Sequence, residues 1–185
     1  TAFLNAKDGA GLPVLCLFDN EEVGSGTKQG ADSATLGLML EKIACALGAS
    51  RSEYIDSLAS GFMLSCDVAH AKHPNHAELS DASCNAVMNK GTALKMNYEQ
   101  RYATEAVGIG MIEGICAKYS IPYQRFMNRP DPRGGTRGSF AASQLGMSTA
   151  DVGVPMLAMH SCRETMGVRD QDSLNELVAH YFAEE

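Results

Sequence analysis

Short apolar runs alternate along this chain with longer stretches in which apolar residues recur every three or four positions. Leu12 to Phe18 (LPVLCLF) is bounded by Gly11 and by Asp19-Asn20, the pattern of a short buried strand. Beyond a Gly/Ser/Thr turn, Ser33 to Leu47 repeats apolar residues at helical spacing and stops at Gly48, a common end signal for a helix. The alternation then repeats. Phe62 to Cys66 reads as a strand, followed by a polar loop through Pro74, a strand from Ala93 to Met96, and a long helix from about Ala103 to Lys118. Pro122 to Met127 reads as another strand, Asn128 to Gly138 as an Arg/Pro/Gly-rich loop, and Ser139 to Leu145 as a short helix. Val152 to Met159 predicts a strand pair broken near Pro155, and Ser173 to Ala183 a closing amphipathic helix.

Strands alternating with helices imply a layered α/β domain. In such folds functional groups gather at the carboxyl ends of strands. Three polar clusters fall at such ends: Asp19 to Glu22, Asp67 to His76, and His160 to Glu164.

Composition narrows the function classes. With 185 residues the chain has the size of one ordinary domain, and a net charge of -7 argues against a nucleic-acid partner, which needs a surplus of Lys and Arg on one face. No apolar run approaches the roughly 20 residues that cross a bilayer, so no membrane partner is expected. Six cysteines lie in apolar segments without a CxxC pair, which predicts reduced, mostly buried thiols and a cytoplasmic protein. The chain opens on Thr1 rather than on methionine, which raises the expectation of a piece of something longer.

Adjacent Glu21 and Glu22 leave a strand end in different directions, so one can bind a cation while the other takes a proton from water. On the doublet alone, two solvated loop glutamates are the better reading. Ser65 to His76 (SCDVAHAKHPNH) places an aspartate and three histidines in one segment, the ligand types zinc prefers, although a solvated turn at Pro74-Asn75 fits equally. His160 closes an apolar strand ahead of Arg163 and Glu164; alone it reads as a structural histidine. Three strand ends that each offer a metal ligand shift the balance toward a metal site. Lys95 lies inside the strand ALKMN, where snorkelling from an edge strand is the preferred reading over a buried, paired lysine. Asp131 to Ser139 can present backbone N–H groups to an anion, or be a plain loop.

Five ordered segments, FDNEEVGS, DVAHAKHPNH, LKMNYEQRYAT, GGTRG and DVGVPMLAMHSCRE, cover nearly the whole chain. Together they resemble the aspartyl aminopeptidases, metallopeptidases with two co-catalytic zinc ions. The resemblance implies a three-layer α/β/α fold with a mixed central sheet, here incomplete, in which residues 1–185 are one partial catalytic domain. It implies that Glu21 is the general base, that Glu22 and His160 bind one zinc, and that Asp67 binds the other. It further implies that His70 and Lys95 lie near the substrate, the lysine facing the acidic side chain of an N-terminal Asp or Glu, and that Tyr102 supports the tetrahedral intermediate. Manganese or cobalt suits the same donors.

Arg137 and Ser139 depart from the apolar residue and proline usual in those relatives. A further histidine ligand, the bridging aspartate and an inserted domain that drives homo-oligomerisation would precede Thr1, and Asp8 is a poor substitute for the aspartate. The piece alone is therefore expected to be inactive and to leave an apolar face exposed. The rival expectation is a naturally short, non-catalytic relative acting as a binding or assembly subunit.

Overall fold

Alternate residues of the central strands go to two chemically different faces, and this division organises the molecule. The computed structural model describes residues 2–5, 11–129 and 138–183. Its strands are β1 (Phe62–His70), β2 (Thr92–Met96), β3 (Tyr123–Met127), β4 (Ser148–Leu157) and β5 (Thr165–Met166). The helices are α1 (Thr35–Ala46), α2 (Arg51–Ser60), α3 (Ala106–Tyr119), α4 (Gly138–Leu145) and α5 (Val168–Tyr181). The sheet order is β1-β4-β2-β3, with β5 on β4. β1 runs parallel to β4 and β2 parallel to β3, while β2–β4 and β4–β5 are antiparallel, so this is a mixed α/β fold with a mixed-orientation sheet.

On one face, Leu94, Ala150 and Val152 pack against Ile112, Ile115 and Cys116 of α3 and Leu177 of α5. The glycine at 108 lets α3 approach: a Cβ there would lie 2.5 Å from the carbonyl oxygen of Thr149. On the other face, Ala69, Ala93 and Phe126 meet Ala86 and Tyr102 from loops, and Lys95 and Asp151 share that side. α4 contacts β1 and β4, and α1 contacts α2 and α4.

α2 was not expected from hydrophobic spacing, because only Tyr54 of its ten residues is buried. Its local signal is the capping box: Glu53 N–H donates to Ser50 Oγ at 3.3 Å, and Ser50 N–H donates to Glu53 Oε2 at 2.7 Å. At the start of α5, the fully buried Asp170 carboxylate accepts the N–H groups of Asn89 at 2.6 Å and Gly91 at 2.7 Å, tying the helix to the approach of β2. Asp170→Ala leaves both donors unpaired and is expected to lower stability by about 2–4 kcal/mol in urea unfolding. A change below 0.5 kcal/mol, on the same scale, would remove Asp170 as an anchor.

Four expectations need correction. Leu12 to Phe18 forms no strand: no described strand lies alongside it, and Leu12, Val14, Leu15 and Leu17 are exposed, Leu17 by 85%. Val152 to Met159 is not a broken pair, since β4 runs unbroken through Pro155. The neighbouring Met156 carbonyl accepts Ala71 N–H on the β1 side, so the ring nitrogen of Pro155 faces the other flank, where pairing with β2 stops at Gly153 and pairing with β5 starts only at Met156. Lys95 does not snorkel from an edge, because β2 lies between β4 and β3 and the lysine is fully buried. The thiols are not mostly buried: Cys16, Cys45, Cys66 and Cys162 are exposed, Cys84 is intermediate and Cys116 buried, all six free.

α1 contains no fully buried residue and exposes Leu38, Met39 and Ile43. No helix among the described residues is long and apolar enough to cross a membrane. Asp8 and the loop through Arg137 lie outside the described residues, with most of the candidate anion-presenting segment.

Candidate active site

The Glu21-Glu22 doublet sits on a turn that its own neighbours close. Gly24 N–H donates to the Glu21 carbonyl at 3.1 Å, Thr27 Oγ1 donates to the Gly24 carbonyl at 2.9 Å, and Asn20 Nδ2 donates to Thr27 Oγ1 at 3.1 Å. Asn20 also bridges to Gly30, where a Cβ would lie 2.2 Å from the Ser25 carbonyl oxygen. Short polar side chains and a glycine thus hold both carboxylates on an exposed turn.

His160 arrives from the loop after β4. Both Ala158 (φ 57) and His160 (φ 68) adopt the left-handed conformation that favours glycine. Glu164 Oε1 accepts His160 N–H at 2.6 Å and Ala158 accepts Ser161 N–H at 3.0 Å, fixing this bend. The result brings two residues far apart in sequence together: His160 Nε2 lies 3.0 Å from Glu22 Oε1, with both side chains well exposed. An exposed pair of this kind contributes little stability.

Asp67, in β1, lies on the same sheet face as Lys95. Lys95 Nζ donates to Asp67 Oδ2 at 3.4 Å and to the Val68 carbonyl at 3.2 Å, and sits 5.1 Å from the Tyr102 ring centre. The lysine is buried while the Asp67 side chain remains 45% exposed, so the ion pair opens to solvent on the carboxylate side. Burial pulls Lys95 below the usual ammonium range, against the opposing pull of Asp67 and Asp151. Tyr102 is buried as well; its phenol is pushed up to about 12 by that burial, and its hydroxyl accepts Asn128 Nδ2 at 2.8 Å. Partial burial, then His160, holds His70 below the usual imidazole range, with Asp67 opposing. His70 therefore sits within electrostatic reach of both halves of the site.

The donor chemistry fits zinc in part. Two ligands on a tetrahedral zinc stand about 3.3 Å apart, and Glu22 and His160 already approach that spacing. Among the described residues no group of three His, Cys, Asp or Glu side chains is gathered for a metal; Glu22 and His160 form one donor pair, and Asp67 pairs with Lys95. His73 and His76 lie apart from this arrangement in a turn of their own, where His76 Nδ1 meets Glu78 Oε1 at 3.2 Å.

Comparison with known proteins decides the family. Residues 2–182 match the profile of the aminopeptidase I zinc metalloproteases, M18. The chain belongs to this family. It is 43% identical over 170 residues to a probable M18 family aminopeptidase 2 of Clostridium acetobutylicum, a match covering 91% of this chain and 39% of that protein. It is 41% identical over 170 residues to aspartyl aminopeptidase 1 of Schizosaccharomyces pombe, covering 91% of this chain and 36% of the relative. Among solved structures, it is similar to a chain of the Ape4 and Nbr1 complex, with TM-score 0.84, 41% identity and coverage of 89% and 31% of the two chains. It also superposes on yeast aminopeptidase 1 with TM-score 0.79, 31% identity and coverage of 89% and 37%. The S. cerevisiae mApe1 dodecamer matches with TM-score 0.75 and 29% identity over 89% of this chain and 36% of that one. The M18 chain described here thus spans about two-fifths of the length of the curated relatives it matches.

Sequence reasoning singled out Lys95 and Asp67 on this sheet face but not their neighbour. It missed Asp151, fully buried in β4 beside Lys95. The available signal was an aspartate inside the otherwise uncharged run STADVGV.

Proposed function

We propose that this chain is the carboxyl-terminal part of the catalytic domain of an aminopeptidase that releases Asp or Glu from the N-terminus of peptides. Two zinc ions would be held by Glu22 with His160 and by Asp67, with further ligands from outside this chain; manganese or cobalt suits the same donors. The approach of Glu22 to His160 carries the reading, because ordinary surface packing has no need of it. When bound, zinc supplies Lewis acidity that polarises the scissile carbonyl and acidifies water. Glu21, exposed beside Glu22, takes the proton of the attacking water and returns it to the leaving amine. Lys95, under the Tyr102 ring, meets the carboxylate of the substrate's first side chain on the side where its pair with Asp67 opens to solvent, and an acidic side chain brings a charge partner that a neutral one does not. His70 borders the same space, and Tyr102 supports the tetrahedral intermediate.

The exposed apolar surface of Leu12 to Leu17 and of α1 supports the reading of a partial domain. Six free thiols support a cytoplasmic location. Membership of a family that includes the mApe1 dodecamer supports homo-oligomerisation of the full-length form.

That no three His, Cys, Asp or Glu side chains are gathered for a metal among the described residues supports inactivity of the 185 residues by themselves. Isothermal titration of the isolated chain is expected to show at most one weak zinc site, whereas tight uptake of two ions would contradict the missing-ligand argument. The same observation favours the second reading, a short assembly subunit without catalysis. An initiating methionine codon directly before Thr1 would support that reading. Hydrolysis of Asp- and Glu-anilides by the full-length protein, stopped by a chelator, would support the peptidase.

A further inference from the structure

Asp151 is fully buried at the middle of the sheet, opposite Lys95 in the antiparallel β2–β4 pair. Directly opposed residues project to the same face, so two buried groups of opposite charge share the side on which Tyr102 lies. Asp151 also makes two contacts to the loop between β2 and α3. Its Oδ2 accepts Ala103 N–H at 2.5 Å, and its own N–H donates to Thr104 Oγ1 at 2.8 Å. Both contacts fall on the residues immediately after Tyr102. That ring is consequently fixed at its hydroxyl by Asn128 and at its backbone by Asp151, and between these two points it covers Lys95 Nζ. Residues 97–105 contain no helix or strand, so no regular backbone ladder would hold the ring there instead.

We propose that Asp151, through its reciprocal contacts with Ala103 and Thr104, is a positioning residue that seats Tyr102 over Lys95 and so shapes the pocket reading the substrate's N-terminal side chain. Asp151 touches neither substrate nor metal in this role; it acts through the 102–104 turn. The inference rests on the reading of Lys95 as the acidic-side-chain contact. It explains why an aspartate, expensive to bury, stands in an apolar strand: one oxygen is spent on a loop amide, and its charge is balanced by the lysine whose cover it sets.

The test uses the full-length enzyme with Asp-anilide and Leu-anilide. Asp151→Ala is expected to lower the ratio of kcat/KM for the two substrates by about tenfold, the scale of one lost hydrogen bond, chiefly through KM for the acidic substrate. Because that variant can fail to fold, Thr104→Val is measured beside it, with a smaller fall of the ratio in the same direction, and Thr104→Ser restores the wild-type ratio. A folded Thr104→Val enzyme of wild-type ratio, or an Asp151→Ala enzyme that loses thermal stability at unchanged ratio, would overturn the inference alone. A wild-type enzyme that cleaves both substrates equally would overturn the acidic-selectivity reading beneath it, and the inference with it.

Discussion

Glu21→Gln in the full-length protein is expected to lower kcat by about 10²–10⁴-fold, the usual worth of a positioned general base, while zinc content stays at the wild-type value. The amide keeps the size of the side chain, and the Asn20–Thr27 turn retains its backbone and short polar hydrogen bonds. It cannot take a proton from water. Loss of zinc together with activity would mean that Glu21 and Glu22 exchange roles, and the pairing of Glu22 with His160 stands against that exchange. Glu22→Gln is the informative partner, since it should lower zinc affinity as well as turnover.

Lys95→Met is expected to reduce kcat/KM for an Asp-anilide by about 10²-fold or more, because truncating one member of a desolvated charge pair commonly costs about 2–5 kcal/mol. Leu-anilide should be affected far less. Methionine fills nearly the same volume, but it leaves Asp151 buried without its cation, so the thermal midpoint should also fall. Asp67 suffers less, since its side chain is 45% exposed and water can replace the ammonium. The substrate ratio, measured within one preparation, separates lost recognition from lost stability. A proportional decline for both substrates would assign Lys95 to the architecture of the site rather than to selectivity.

The sequence made three polar clusters visible because each is short and preceded by an apolar run, but Glu22 follows no described strand and Asp67 lies inside β1 rather than at its end. Glu22, Asp67 and His160 were singled out as ligands only by the family resemblance, and their mutual distances could not be read at all. The approach of His160 to Glu22 depends on two left-handed residues after β4 and on the Glu164 carboxylate that holds them, features with no periodic signature. Lys95 was misread for a related reason. An apolar strand with one lysine looks the same at an edge or in the interior, and only the order β4-β2-β3 shows that this lysine stands on an interior strand.

Leu12 to Phe18 illustrates the opposite limit. Its composition is that of a buried strand, but a strand is a relation between two segments, and no described strand lies beside it. Pro155 misled because proline breaks a ladder only where its missing N–H has an acceptor to lose. Here that flank lies between the stretch of β4 paired with β2 and the stretch paired with β5.

The central claim is that the segments carrying Glu22, Asp67 and His160 hold divalent cations. Anomalous diffraction at the zinc edge from crystals of the full-length protein tests it most directly. The account predicts one peak about 2.0–2.2 Å from both a Glu22 oxygen and His160 Nε2, and a second on Asp67. Zinc bound elsewhere, with Glu22 and His160 still joined only to each other, would contradict it.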